Sequence, residues 1–285
     1  MSNIHISSSD IDLSLPDNSV AKIFRYKNSI EVVTSQSSTS GAKALSKVRR
    51  YSKDEYIDTE TGEVLRYNRS TDKADNTDAI KQSVKRIRRL ILNNFTEFES
   101  VYVTLTYDYL MRDFNGAIND FNRFLNKLKY HFGSKRFEYL RIIEPQETGS
   151  WHFHLLLKSS ENGEYIRLSK DDITNLWGHG SVKLSQIYDV EGLAVYLGTF
   201  CKSSDSGGRK SKMQLKSSRW KYYPVGARIY SKSNGIVYPQ SEVTTKGEAT
   251  KRLENSELLS VKSVIVSDAD SGKIVNRVTY ETYRK

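Results

Sequence analysis

Four segments with the alternating apolar period of a β-strand constrain the fold of this chain more than any other feature of its sequence. They span residues 100–108, 137–144, 151–158 and 181–187. Segments with helical spacing lie between and after these strands, at residues 118–128, 169–178 and 190–202. The resulting order β, α, β, β, α, β, α predicts an α+β core, in which helices pack on an antiparallel sheet in a split ferredoxin-like arrangement.

The rest of the chain divides by composition into regions on both sides of this core. We expect a flexible Ser- and Asn-rich arm, a hairpin followed by a basic helix, the core, a basic aromatic segment, and a C-terminal tail with a hairpin. These regions span residues 1–50, 51–98, 99–202, 203–240 and 241–285. The basic helix carries its charges opposite an apolar stripe, and both a solvated face and phosphate contact are compatible with that pattern.

Charge and composition indicate which classes of partner this protein has. The 285 residues include 44 Lys and Arg against 34 Asp and Glu, so the net charge is +10 and favours a polyanionic partner such as nucleic acid. The single cysteine, Cys201, excludes an internal disulfide and a cage of several cysteines. No apolar run reaches the roughly 18 residues of a membrane span. We therefore expect a cytoplasmic protein with no membrane partner.

The segment at residues 203–235 combines basic and aromatic residues. Cations that neutralise phosphates and aromatic rings that stack bases are the groups that hold single-stranded nucleic acid. A flexible basic loop with a few buried tyrosines is the alternative. The candidate nucleic-acid-binding residues are Arg209, Lys210, Lys212, Lys216, Arg219, Trp220, Lys221 and Arg228.

Two histidines stand two residues apart in the third core strand. His152 and His154 therefore project from one face, while Phe153 between them points into the core. Neighbouring imidazoles on a rigid strand are natural metal ligands. Glu144 ends the preceding strand, and a hairpin brings it toward the histidines; Glu147, in the turn, is the second choice. Two imidazoles and one carboxylate suit Mn²⁺ or Mg²⁺ acting on a phosphate oxygen.

A tyrosine in the last core helix is the candidate nucleophile. Tyr196 lies after the last core strand, from where it could reach the metal-bearing face. A neutral phenol attacks poorly because its pKa is near 10, but a metal-polarised phosphate and a nearby cation such as Lys202 would lower the barrier. With 18 tyrosines in the chain, a packing role for Tyr196 is the alternative when this residue is taken alone.

Three motifs in order resemble those of HUH endonucleases, above all the rolling-circle replication initiators of plasmids and small single-stranded DNA phages. The motifs are Val103-Thr-Leu-Thr-Tyr107, the segment 144–154 with its His-Phe-His, and the segment 193–202 around Tyr196. Further similarity lies at residues 176–180 and 228–236, so the resemblance covers roughly residues 80–240. Three ordered motifs are much more specific than any one of them.

The resemblance implies a role for each matching residue. His152, His154 and Glu144 would hold a divalent ion, and Tyr196 would attack a DNA phosphodiester and stay attached to the 5′ phosphate. The released 3′ hydroxyl would then prime synthesis, with later strand rejoining. The implied partners are single-stranded or hairpin origin DNA and a host helicase and DNA polymerase. No phosphate-binding Gly-rich loop is present in the sequence, so another protein would unwind the DNA.

The chain also departs from the family pattern near the tyrosine. Members with two catalytic tyrosines carry them one helical turn apart, but the position one turn after Tyr196 is Phe200, so we expect a single-tyrosine enzyme. Many relatives have a lysine three residues after the tyrosine, where this chain has Thr199. Lys202 is therefore the candidate for that charge.

Two alternatives remain open from the sequence. One is an HUH transposase or relaxase, although relaxases usually have three clustered histidines and transposases are typically smaller. The other is a non-catalytic nucleic-acid-binding module, which stacks bases on Tyr102 and Tyr107 and whose histidines merely pack. This module would bind nucleic acid without cleavage at any metal concentration.

Overall fold

A computed structural model defines two compact units in this chain. It describes residues 4–9, 15–36, 48–52, 54–58, 61–66, 77–132, 137–161, 165–198, 219–268 and 272–285. The first unit is assembled from both ends of the chain, Met1–Arg69 and Pro239–Lys285, and the second unit is the continuous segment Ser70–Tyr238.

The first unit is built on a six-stranded antiparallel sheet. Its strands, in the order in which they pair, are β1 (Ile4–Ser9), β13 (Leu258–Asp268), β14 (Ile274–Arg284), β3 (Ser29–Ser35), β2 (Val20–Arg25) and β12 (Ser241–Thr245). A short helix, α5 (Lys246–Arg252), follows β12, and its Ala249 packs with Ile23 and Val32 in a small buried cluster. A separate three-stranded sheet pairs β4 (Val48–Arg50), β5 (Glu55–Asp58) and β6 (Val64–Arg66).

The second unit contains a five-stranded antiparallel sheet. Its strands are β7 (Val101–Thr106), β8 (Phe137–Pro145), β9 (Trp151–Ser159), β10 (Val182–Gln186) and β11 (Tyr230–Lys232). Their spatial order is β10-β7-β9-β8-β11. The first four strands in chain order thus lie as 4-1-3-2, which is the ferredoxin-like arrangement. The predicted α+β core is confirmed.

The helices of the second unit are α1 (Thr77–Asn94), α2 (Phe114–Phe132), α3 (Lys170–Trp177) and α4 (Val190–Gly198). Phe121 of α2 and Trp177 of α3 contact the ring of Phe153, so these two helices cover the face of the sheet toward which Phe153 points. Helix α1 instead contacts α4. Helix α3 begins at the cap Ser169, whose hydroxyl accepts hydrogen bonds from Asp171 and Asp172, as expected for an N-cap.

The turn from α3 into β10 fixes the edge of the sheet. Gly178 ends the helix with a left-handed backbone (φ 66°), which glycine adopts without strain. At Gly180 a Cβ atom would collide with the backbone of Thr106 and Asp108 at the end of β7. Trp177 Nε1 donates a hydrogen bond to the Thr106 carbonyl at 3.2 Å. The chain thus passes directly against β7 because residue 180 has no side chain.

The two units differ from the five-part division expected from the sequence. Residues 20–35 do not behave as a flexible arm, because the alternating side chains of Ala21, Ile23 and Val32 are buried in the first unit. The predicted hairpin at residues 51–67 and the basic helix after it fall in different units. The terminal hairpin is present as β13 and β14.

Candidate active site

The strand register brings the candidate metal ligands to one face of the five-stranded sheet. His154 lies opposite Thr104 of β7 on one side and Ile142 of β8 on the other, and His152 lies opposite Glu144. Residues directly opposite each other on neighbouring strands share a face. Glu144, His152 and His154 therefore project together, away from the face that α2 and α3 cover.

The three side chains converge on one point. His152 Nε2 lies 3.0 Å from His154 Nε2, and His154 Nε2 lies 3.2 Å from Glu144 Oε2. All three are buried, with exposed fractions of 9%, 3% and 2% for His152, His154 and Glu144. The second choice, Glu147, lies outside this cluster, and its side chain is 66% exposed.

This donor set fits a divalent cation. The candidate ligand atoms of the three residues all lie within 4.8 Å of one another. Two imidazole nitrogens that face each other at this distance need either a shared proton or a cation between them, and the carboxylate supplies negative charge. Nitrogen and oxygen donors are compatible with Mn²⁺, and with Mg²⁺ less readily, because Mg²⁺ prefers oxygen ligands.

A tyrosine hydroxyl fixes the orientation of the central histidine. Tyr102 Oη lies 2.6 Å from Nδ1 of His154, and the two rings stack with their centroids 5.7 Å apart. Burial raises the pKa of Tyr102 above its ordinary value, so its hydroxyl keeps its proton at neutral pH. The hydroxyl oxygen can accept a hydrogen bond from Nδ1–H of His154, and in that tautomer Nε2 is the unprotonated nitrogen that can bind a cation.

The candidate nucleophile lies beside the cluster. The ring of Tyr196 on α4 meets that of His154 edge-on, with centroids 6.3 Å apart. Tyr196 is 51% exposed, so a substrate can reach it from solvent. Burial and the charge of Glu144 raise the pKa of Tyr196, and Arg219 acts in the opposite direction. The phenol is therefore neutral at physiological pH unless a further positive charge approaches.

Arg219 lies against the candidate metal carboxylate. Its Nη1 is 3.6 Å from Glu144 Oε1 and its Nη2 is 3.1 Å from Glu147 Oε1. The charge of this guanidinium partly opposes the rise in the pKa of Tyr196 that burial and Glu144 cause. The sequence assigned Arg219 to a general nucleic-acid-binding segment and gave no signal of this position, because the contact spans more than seventy residues of chain.

The structure describes part of the basic aromatic segment beyond Arg219. Lys221 and Arg228 are exposed. Tyr222 and Tyr223 instead donate hydrogen bonds to backbone carbonyls of Glu147 and Ile143, at 3.3 and 2.7 Å, so they hold this segment against the β8–β9 hairpin. Of the remaining predicted site residues, Trp220 lies in the described backbone, but its side chain is not described. The others lie outside the described residues: Lys202, Arg209, Lys210, Lys212 and Lys216.

The fold and the site together define a ferredoxin-like domain with a candidate metal centre next to a tyrosine. Residues 100–204 match the family model for the replication-associated protein ORF2. Over that segment the resemblance to rolling-circle replication initiators is confirmed, and origin DNA is the partner that such a domain implies. A search of curated proteins finds no significant match. In the described part of the chain, no helix has the length and apolar character to cross a membrane.

Proposed function

We propose that this protein is a metal-dependent, single-tyrosine endonuclease that nicks single-stranded or hairpin origin DNA to start rolling-circle replication. The observation that supports it most is the convergence of Glu144, His152 and His154 beside the exposed ring of Tyr196, within a segment that matches a replication-protein family. A divalent ion held by these three side chains, Mn²⁺ or Mg²⁺, would polarise the scissile phosphate as a Lewis acid.

The chain's own residues carry the covalent step. Tyr196 Oη attacks the phosphorus, the bond from tyrosine oxygen to phosphorus forms, and the bond from phosphorus to the 3′ oxygen breaks. The phenol releases its proton and the departing 3′ oxygen takes one up, which leaves a 5′ phosphotyrosine and a free 3′ hydroxyl. A later attack by a 3′ hydroxyl on that phosphotyrosine reverses these changes and rejoins the strand.

The surrounding residues prepare this step. Tyr102 holds the ring of His154, and the charge of Arg219 opposes the effect of Glu144 on the phenol of Tyr196. Arg219 is a cation that the structure describes next to the nucleophile, in the role that the sequence suggested for Lys202. A fixed positive charge at this point favours both the phenolate and the additional negative charge of the transition state.

Covalent capture of DNA tests the proposal. A pool of random single-stranded oligonucleotides, incubated with the protein and Mn²⁺, should yield an adduct that survives denaturation, and the label should follow the fragment that carries the 5′ phosphate. Tyr196→Phe should lower the adduct yield by at least about a thousandfold, because phenylalanine has no oxygen to attack with. Binding of the same pool should stay nearly unchanged.

Tyr188→Phe is the matched control, since Tyr188 is also exposed, lies just before α4 and has no contact with the three candidate ligands among its described contacts. Its adduct yield should equal that of the unmodified protein. An adduct that persists in Tyr196→Phe would exclude Tyr196 as the nucleophile. Binding without any adduct, at all Mn²⁺ and Mg²⁺ concentrations, would instead support the non-catalytic module.

A further inference from the structure

A cavity of about 540 Å³ lies between helix α1 and the edge strand β11 of the second unit. Its lining is rich in cations and phenols, among them Lys85, Arg86, Arg89, Lys232, Tyr230 and Tyr238. We call it the α1–β11 cavity. Gln82, Arg86 and Arg89 are four and three residues apart, so they form one stripe along the helix that faces it. A volume of this order accommodates a small organic ligand.

The cavity concentrates positive charge. Four of its eight lining residues are cationic, and no carboxylate is among the described residues that line it. Arg89 is 8% exposed, and its Nη1 donates to Tyr238 Oη at 3.0 Å. Lys232 Nζ donates to the Ile236 carbonyl at 2.6 Å. These two bonds fix the orientation of Arg89 and Lys232 at the cavity, whose cationic lining is complementary in charge to a phosphate group.

The register places this cavity on the same face of the sheet as the candidate active site. Tyr230 lies opposite Ile142, which lies opposite His154, so all three side chains project from one face. Two strand spacings separate Tyr230 from His154, which is about 10 Å. The cavity is also bounded by α1, which contacts the helix that carries Tyr196.

We infer that the α1–β11 cavity holds a nucleotide of the DNA strand that flanks the scissile phosphate, with its phosphate against Lys85, Arg86 and Arg89 and its base against Tyr230. This deepens the proposed function, since the ligand is a second part of the same substrate. Cations for the phosphate and a phenol for base stacking are the two groups by which proteins hold single strands. The distance of about 10 Å between Tyr230 and His154 is short enough for one strand to reach both places, which favours a strand over a free nucleotide.

Binding of single-stranded DNA without metal tests this inference. With a chelator present, fluorescence anisotropy measures the affinity for a labelled deoxythymidine oligomer of about 20 nucleotides, longer than a typical single-strand site. The double variant Lys85→Gln/Arg86→Gln should bind about tenfold more weakly. Its slope of log affinity against log salt should be shallower by about 1.4, which corresponds to two lost phosphate contacts on a single strand.

The matched control is Lys127→Gln/Lys129→Gln, which removes two exposed charges from α2, on the opposite face of the sheet. Its affinity and salt slope should equal those of the unmodified protein. Equal losses in the two double variants would overturn the inference, because the effect would then come from net charge alone. Thermal unfolding of both variants separates a binding effect from a folding defect.

The contribution of the Tyr230 ring can be measured separately from that of the cations. Tyr230→Leu should weaken binding severalfold with the salt slope unchanged, because stacking releases no counterions, and Tyr230→Phe should restore the affinity. If Tyr230→Phe binds as weakly as Tyr230→Leu, the ring does not stack a base. Displacement of the oligomer by a free deoxynucleoside 5′-phosphate, at equal concentration of nucleotide units, would identify a mononucleotide site and overturn the strand assignment.

This test and that of the proposed function fail independently. The binding assay contains no divalent ion and does not require Tyr196, whereas covalent capture requires both. Weaker binding by Lys85→Gln/Arg86→Gln in a protein that never forms an adduct would keep the cavity and reject nicking. An adduct that forms normally, with no loss of binding in that double variant, would keep the nicking activity and reject the cavity as a DNA-binding site.

Discussion

The two faces of the five-stranded sheet in the second unit use the same strands for different purposes. On β9, Phe153 and Leu155 are completely buried against α2 and α3, and the ring of Phe153 lies 4.9 Å from that of Phe121. The residues between and beside them, His152 and His154, project from the other face into a polar cluster with Glu144. We call these the packing face and the site face.

The comparison shows that both faces contain completely buried apolar residues, such as Phe153 on the packing face and Ile142 on the site face, and that the cluster of Glu144, His152 and His154 lies on the site face. Alternation along a strand separates the two sets of side chains without any extra loop. Buried polar groups such as His154 and Glu144 are costly unless they are bonded or hold an ion, whereas buried aromatic rings stabilise the fold directly. The buried cluster of Glu144, His152 and His154 therefore stabilises the fold less directly than the rings of the packing face do.

The largest expected effect comes from comparing two substitutions, one on each face of the sheet. Phe153→Ala should lower the free energy of unfolding by about 3–5 kcal/mol, because it leaves a cavity among Phe121, Trp177 and the sheet. Glu144→Gln keeps the volume and should change that free energy by only about 1 kcal/mol, while it removes the charge that a divalent ion needs. Urea unfolding and metal-binding calorimetry measure the two quantities.

The opposite pattern would break the comparison. If Glu144→Gln unfolds the domain while Phe153→Ala leaves it stable, the polar cluster is a structural element and the division between the faces is wrong. A Glu144→Gln variant that binds Mn²⁺ with unchanged affinity would remove this carboxylate from the ligand set.

What the sequence predicts well is the local part of this architecture. Strand alternation gave the order of elements, and the spacing of His152 and His154 gave their common face, because both depend on residues that are neighbours in the chain. The pairing of β3 with β14 joins residues about 250 positions apart, such as Ile30 and Tyr283, and no local pattern encodes it. The N-terminal segment therefore resembled a flexible arm.

The candidate site shows the same limit. The position of Arg219 beside Glu144 and the hydrogen bond between Tyr102 and His154 both depend on tertiary packing and on strand register. Tyr102 and His154 are two strand positions out of line, since Thr104 is the residue opposite His154. A tyrosine that reaches diagonally across the sheet looks in the sequence like any other β-prone residue.

The second prediction sharpens the site face. Tyr102→Phe should lower the affinity for Mn²⁺ about 10- to 100-fold, because the ring of His154 loses the bond that fixes its orientation and its protonated nitrogen. Tyr107→Phe is the matched control: it removes a buried bond to Asp120, at 3.2 Å, near Trp177 on the packing face.

Both variants should lose about 1 kcal/mol of unfolding free energy, which is the ordinary effect of a removed hydrogen bond. Only Tyr102→Phe should bind metal more weakly, as measured by calorimetry. Equal metal affinities in the two variants would show that Tyr102 merely packs against His154 and does not position it.

The smallest expected effect concerns Arg141, a buried cation that projects from the packing face of β8. Arg141 is 4% exposed, and its guanidinium lies over the rings of Phe121 and Phe153, at 5.3 and 5.9 Å. Its Nε and Nη1 have no hydrogen-bond partner among the described residues. Arg141→Met should therefore raise the free energy of unfolding by about 1 kcal/mol, since a buried cation is replaced by an apolar side chain of similar length.

The pH dependence of that difference identifies its cause. Burial lowers the pKa of Arg141 from its ordinary value to about 10, so the folded chain releases this proton at a lower pH than the unfolded chain does. Below pH 10 both states keep the proton and the full cost of burial remains. Above pH 10 the unfolded state binds more protons, so the stability of the unmodified protein rises relative to Arg141→Met and the difference in stability between them narrows.

Urea unfolding of both proteins at pH 8 and at about pH 10.5 measures this difference. If the difference in unfolding free energy is the same at both pH values, the effect comes from packing around Phe121. If Arg141→Met is less stable than the unmodified protein at both pH values, the contact of Arg141 with the two rings is its dominant contribution.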